Sequence, residues 1–205
     1  MSRLPIRVVK VGGSLLNLPD LAERLQEWLA EQSPAHHVLV AGGGALVEQV
    51  RQWHKLRPLN DEAAHWMCVD LMTVTAQMLH DWLPEIPLVE DDRLLCQRVG
   101  ERGSTIFATA DWLRHSEPSL PGRTLPANWD VTSDAIAARL AIVFSVDELV
   151  LLKSALPAGD FEVRKLAEIG YLDPMMVRLA SELPPTRLVN FRALPHQATK
   201  LQGTS

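Results

Sequence analysis

Twice near its start the chain runs through a short, largely β-branched apolar stretch and breaks off into glycine. Residues 6–11 (IRVVKV) lead into Gly12-Gly13-Ser14, and residues 37–41 (HVLVA) lead into Gly42-Gly43-Gly44. Apolar runs this short and continuous are typical of strands buried on both faces of a parallel sheet. Parallel neighbours cannot be joined by a tight turn and need a crossover. Residues 19–32 (PDLAERLQEWLAEQ) supply one, with apolar positions at Leu21, Leu25, Trp28 and Leu29 on one helical face and Pro19 suited to a first turn. The pattern therefore demands an α/β fold, with glycine at the carboxyl ends of at least two parallel strands.

The remaining elements extend the alternation. ALVEQVRQWHKL (45–56) reads as a second amphipathic helix, and residues 60–82 as a long helix capped by Asn60 or Asp61. Residues 86–89 suit a strand. The stretch 100–130, with Pro118, Pro121, Gly122 and Pro126, reads as a short strand, a short helix near Asp111 to Arg114 and a loop joining two lobes. SDAIAARLAIVF is helical, with Thr132 or Ser133 as cap. Residues 149–152 (LVLL) form a buried strand ending at Lys153 and Ser154. Helices are expected over 162–169 and 174–183 and a last strand over 187–191, with a loose polar tail after Pro195. The expected architecture is a three-layer α/β/α sandwich around a mainly parallel sheet.

Composition narrows the function. A chain of 205 residues with net charge −5 has no basic surface for nucleic acid or anionic membrane. No stretch is long enough to span a bilayer, and the N-terminus lacks a signal-peptide h-region. Cys68 and Cys96 are isolated, so two reduced thiols in a cytoplasmic protein are expected. None of the seven histidines has metal-site spacing, and no structural metal is expected.

The chemistry gathers at the strand ends. Lys10, Gly12, Gly13 and Ser14 put a cation and bare backbone where an open α/β sheet binds ligands, although the spacing is not that of a P-loop. Gly42, Gly43 and Gly44 repeat the arrangement ahead of a helix N-terminus. A tight turn would need one glycine, whereas three favour close approach of a ligand. Asp134 opens the SDAIAARLA helix, either as a carboxylate that orients lysines or as an acid favourable to the helix dipole. Lys153 ends a strand, as a phosphate ligand or as a solvated loop residue. Arg51, two turns into the second helix, either meets an acceptor phosphate or rests on the surface beside Glu48. His65, on an apolar helix face, reads as a core or interface residue with a satisfied ring nitrogen ahead of a substrate contact.

In that order, K-x-G-G-S at 10–14, strand-G-G-G-helix at 42–44, D-A-I-A-A at 134–138 and strand L-V-L-L-K resemble the amino acid kinase superfamily over about residues 6–155. The resemblance implies an ATP-dependent, Mg²⁺-assisted phosphotransferase with an acceptor-binding N-lobe (1–125) and a shortened nucleotide-binding C-lobe (126–205) in a single kinase-like domain. It implies Lys10 for transition-state charge and Asp134 as organiser of the lysines. Gly12, Gly13 and Ser14 would contact phosphate, and Gly42, Gly43, Gly44 and Arg51 the acceptor. Lys153 or Lys165 would serve as the second lysine. The acceptor would be a small carboxylate or phosphate, the partners small molecules only, and the assembly a homo-oligomer.

The phrases AHWM (64–67), ADW (110–112) and WDVTSDAIAA are similar to a small branch that includes the aminomethylfuran phosphate kinase of methanofuran biosynthesis. That likeness implies conversion of a phosphomonoester to a diphosphate. After LVLLK the family's Asp-Gly-Val-Tyr/Phe stretch is replaced by SALPAGDF. This leaves as an alternative a weak or inactive kinase-fold protein that binds a ligand without turnover.

Overall fold

The first apolar run is strand β1 (Ile6–Val11), and it lies inside the sheet with parallel neighbours on both sides. In the computed structural model, which describes residues 3–159 and 161–203, the second run is β2 (His36–Ala41), buried at every position. The strands β3 (Leu88–Val89), β4 (Gly103–Phe107), β5 (Glu148–Lys153), β6 (Thr186–Asn190) and β7 (Gln197–Lys200) complete one seven-stranded sheet of order β3-β4-β2-β1-β5-β6-β7. All pairings are parallel except β6 with β7. The chain steps outward from β1 through β2 and β4 on one side and from β5 through β6 on the other. The carboxyl ends of β1 and β5 therefore form a switch point, where an open sheet leaves a crevice.

Helices cover both faces, as a three-layer sandwich requires. On one face the core joins α1 (Leu21–Glu31) and the C-terminal half of α3 (Asp61–Trp82) to Val9, Val11, Val150 and Leu152. On the other, the first half of α3 and the Ala-rich α6 (Ser133–Val143) pack on Ile6, Val8, Leu149 and Leu151. They are joined there by α4 (Asp92–Arg98), α5 (Ala110–His115), α7 (Val163–Glu168) and α8 (Pro174–Leu179). The two-residue side-chain period of a strand decides which face receives each residue. Ile6, Val8 and Lys10 share the α6 face, and so do Leu149, Leu151 and Lys153. The remaining helix, α2 (Gly44–Leu56), follows the second glycine run.

Several boundaries depart from expectation. The tail after Pro195 is not loose: β7 pairs antiparallel with β6, satisfying an edge that a bare β6 would expose. The helix α4 was not read from the sequence; Asp91 caps it by accepting from the Arg93 N–H at 2.7 Å. The helix expected over 174–183 stops at Leu179, and the strand expected over 86–89 shrinks to two residues. Pro19 precedes α1 rather than entering it, while Asn60 caps α3 by accepting from Ala63 N–H at 3.0 Å. The irregular stretch 117–125 is tied to α6 by a buried ion pair, Arg139 Nε to Glu117 Oε1 at 2.8 Å. The same guanidinium donates to the carbonyls of Pro121 and Leu120.

Candidate active site

Lys10 and Lys153 leave neighbouring strands on the same face, and α6 meets them there with Asp134 in its first turn. Lys10 Nζ lies 2.9 Å from Asp134 Oδ1, and Lys153 Nζ lies 2.5 Å from Oδ2. Lys153 donates a directed hydrogen bond, whereas Lys10 holds Oδ1 as an ion pair without hydrogen-bond alignment. Lys153 also donates to the Tyr171 carbonyl at 3.1 Å and sits over that residue's ring. Burial alone would raise the Asp134 pKa; the two ammonium groups overcome it and hold the carboxyl down at about 2. Burial pushes the Lys153 ammonium below the ordinary lysine value, opposed by Asp134. Two lysines thus share one carboxylate, with Asp173 as a second acidic neighbour.

The glycine runs build the floor between them. Gly13 and Gly44 approach so closely that a Cβ on Gly13 would lie 2.2 Å from the Gly44 nitrogen. A Cβ on Gly12 would lie 2.6 Å from the Leu152 carbonyl oxygen, so this loop also packs against the end of β5. Within the second run only Gly44 has positive φ, at +57°. Gly42 is needed against Gly13, whose nitrogen a Cβ would meet at 2.7 Å. Close approach of two loops, together with one left-handed turn, therefore accounts for Gly12, Gly13, Gly42 and Gly44 before any ligand is considered, while a Cβ on Gly43 would meet the Val47 side chain at 2.1 Å.

These loops open onto a cavity of about 760 Å³, a size usual for small-molecule sites. Lys10, Asp134 and Lys153 line it, as do Gly12, Gly13 and Ser14. Gly43, Gly44 and Arg51 form another part of the wall. Two expected residues are elsewhere. Gly42 is spent on the packing just described and does not line the cavity. Lys165 lies on α7 with its side chain about half exposed, 3.5 Å from Glu162, and does not line it either. Only Lys153, of the two lysines considered, reaches Asp134.

The N-terminus of α2 has no side-chain cap, and Gly43, Gly44 and Ala45 at that end line the cavity. Such a terminus beside two lysines fits an anionic polyphosphate. Among the described residues no cluster of three or more His, Cys, Asp or Glu is placed to hold a metal ion.

Four contributors escaped the sequence reading. Asp173, before α8, accepts from Thr132 N–H at 3.0 Å and from Ala135 N–H at 2.9 Å, and is also bonded to the Thr132 hydroxyl. It is a remote cap for α6, doing what Thr132 and Ser133 were expected to do. Burial, then the Asp134 charge, raises its pKa. Tyr171 fixes Lys153 through a carbonyl oxygen. Asn128 and Trp129 close the cavity beside α2 and α3, with Trp129 edge-on to His54. A backbone carbonyl and a cap distant in sequence leave no local signal. The shared parity of Lys10 and Lys153 was available from the strand pattern.

Arg51 lines the cavity and lies 3.6 Å from Glu48. His65 is buried, and its Nδ1 donates to the Asn128 carbonyl at 3.2 Å. No helix among the described residues is long and apolar enough to cross a membrane.

Residues 5–155 match the model of the amino acid kinase family. No curated protein matches the chain significantly. Among solved structures, the UMP kinase of Bacillus anthracis aligns with a TM-score of 0.62 at 12% identity, covering 94% of this chain and 89% of that one. The UMP kinase of Ureaplasma parvum aligns at 0.56 and 14%, covering 91% and 89%. The uridylate kinase of Archaeoglobus fulgidus aligns at 0.54 and 16%, covering 81% and 77%.

Proposed function

The chain belongs to the amino acid kinase family, and from that premise we propose that it is an ATP-dependent kinase of a small phosphate- or carboxylate-bearing acceptor. The observation that carries this reading is the buried Lys10–Asp134–Lys153 bridge at the mouth of two interlocked glycine loops. Phosphoryl transfer asks little covalent work of a protein and much positioning and charge stabilisation. Lys10 meets the charge of the phosphoryl group in transfer. Lys153 is the second lysine, and Asp134 holds both ammonium groups in place without acting as a base, being far too acidic to accept a proton at neutral pH. Gly12, Gly13 and Ser14 contact nucleotide phosphate, while Gly43, Gly44 and Arg51 face the acceptor. Mg²⁺ would enter on the nucleotide phosphates and supply charge neutralisation.

In this proposal residues 1–125 form the acceptor lobe and residues 126–205 a shortened nucleotide lobe. A phosphomonoester is the preferred acceptor. Arg51 supplies an added cation at that end, and the structural neighbours are by name kinases of uridylate, itself a phosphomonoester. The finer likeness to aminomethylfuran phosphate kinase makes a phosphomonoester of methanofuran-type cofactor biosynthesis the specific candidate. The protein would work in the cytoplasm as a homo-oligomer, without nucleic-acid or membrane partners.

One observation favours a second reading, a kinase scaffold that binds without turnover. After β5 the chain continues as SALPAGDF, lacking the family's usual nucleotide-contact stretch. Incubation with MgATP and a panel of phosphomonoesters and carboxylates separates the two. Acceptor-dependent ADP release with a phosphorylated product supports the kinase. Ligand-induced thermal stabilisation without ADP supports the binding protein.

A further inference from the structure

His65 is a buried side chain that the proposed phosphoryl transfer does not use. It stands on α3, with 4% of its surface exposed, against the loop that carries Asn128. A carbonyl oxygen only accepts, so the 3.2 Å contact with Asn128 requires a proton on Nδ1. In the neutral ring Nε2 is then a lone-pair acceptor. Nε2 makes no hydrogen bond to any described residue, and it is not sealed off from solvent as Nδ1 of His37 is. His65 lines the cavity, so the free nitrogen has that space to address. Desolvation lowers the His65 pKa, helped by Arg114 and opposed by the Asn128 bond and Glu62, which keeps the ring neutral near pH 7.

The same cavity carries a cation. Arg51 on α2 lines it, together with Cys68, one turn beyond His65 on α3. Trp129, next to Asn128, adds an aromatic wall. A cation for an anion and a neutral acceptor for a donor therefore line one cavity.

We infer that His65 is a specificity-determining residue, its Nε2 taking a hydrogen bond from an O–H or N–H group of an acceptor whose phosphate faces Arg51. The inference rests on the proposed kinase reading for the word acceptor, but the subsite itself does not need turnover. A phosphomonoester lacking a donor leaves Nε2 desolvated and unpaired, and discrimination follows from that penalty.

The test is a nitrogen-15 NMR titration of the full chain with two matched pairs, glycerol 3-phosphate against propyl phosphate and ethanolamine phosphate against ethyl phosphate. At least one donor-bearing probe is expected to shift the His65 Nε2 resonance and to bind about tenfold more tightly than its partner. In His65→Asn the side-chain amide can still donate to Asn128 while Nε2 is gone. That variant should keep its melting temperature and lose the tenfold preference. His65→Phe, which breaks the Asn128 bond as well, reports the structural share separately. Equal binding within both pairs, no binding of any probe, an unmoved Nε2 resonance, or an unchanged preference in a folded His65→Asn protein would overturn the inference. Failure of the kinase reading shows differently, as the absence of ADP release, with the Nε2 response intact.

Discussion

At the scale of single residues, Asp134 carries the most consequence. It is the only carboxylate in ion-pair contact with Lys10 and Lys153 among the described residues, and its own depressed pKa records how strongly they favour its charge. Asp134→Asn leaves two largely buried lysines without the carboxylate that pairs them. Loss of one partner from a buried pair costs about 3–5 kcal/mol, so chemical denaturation at pH 7 should show a loss of that order, with kcat falling more than substrate affinity. The pH dependence has a definite sign. A carboxyl with its folded pKa lowered from 3.8 to about 2 gives stability that is complete above the higher value and lost as pH falls toward the lower. The gap between wild type and Asp134→Asn should accordingly narrow on acidification. A gap that widens would place the favourable charge elsewhere. Lys10 and Asp134 were legible because each stands in a compact motif at a predictable element end. Lys165 stood as an equal alternative to Lys153 because, with the strand parity left unused, a lysine on a later helix looked equivalent; it does not line the cavity.

Among elements, α6 is the one whose placement decides the site. Its buried Ala-rich face lets it lie close on β1 and β5, and Asp173 fixes its first turn by direct hydrogen bonds from the start of α8. Asp173→Ala removes the acceptor for Thr132 and Ala135 and should destabilise the protein by about 1–2 kcal/mol, the usual value of a cap. Hydrogen exchange should quicken at Ala135, and kcat should drop with little change in KM. Asp173→Asn, whose amide oxygen still accepts, should recover most of both. If the asparagine variant behaves like alanine, Asp173 acts by charge and not as a cap. Strands and long helices were legible from their periodicity. The α6 cap was not, because Asp173 lies 41 residues from Thr132. β7 was missed because QATK has no apolar pattern, its place being set by the open edge of β6.

Over the whole molecule, the order of glycine runs, acidic helix and lysine-ended strand made the sandwich readable, and the solved relatives share it at 12–16% identity. Apolar side chains on α2 and α3 remain unpartnered in the single chain; Trp53 is 58% exposed, and Leu56, Met67 and Trp82 are also exposed. The proposed homo-oligomer would cover such a face. Sedimentation equilibrium at micromolar concentration should then give a mass at least twice that of the chain, and a monomer there would contradict it.

In the proposed reaction Lys10, held by Asp134 at the end of β1, stabilises a phosphoryl group in transfer. The most direct test of this role is acceptor-dependent ADP release from MgATP at saturating substrates, wild type against Lys10→Ala, with circular dichroism confirming that both are folded. Turnover by the wild type and a kcat lower by about 10²–10³-fold in the variant are expected. Equal rates in the two proteins would contradict it.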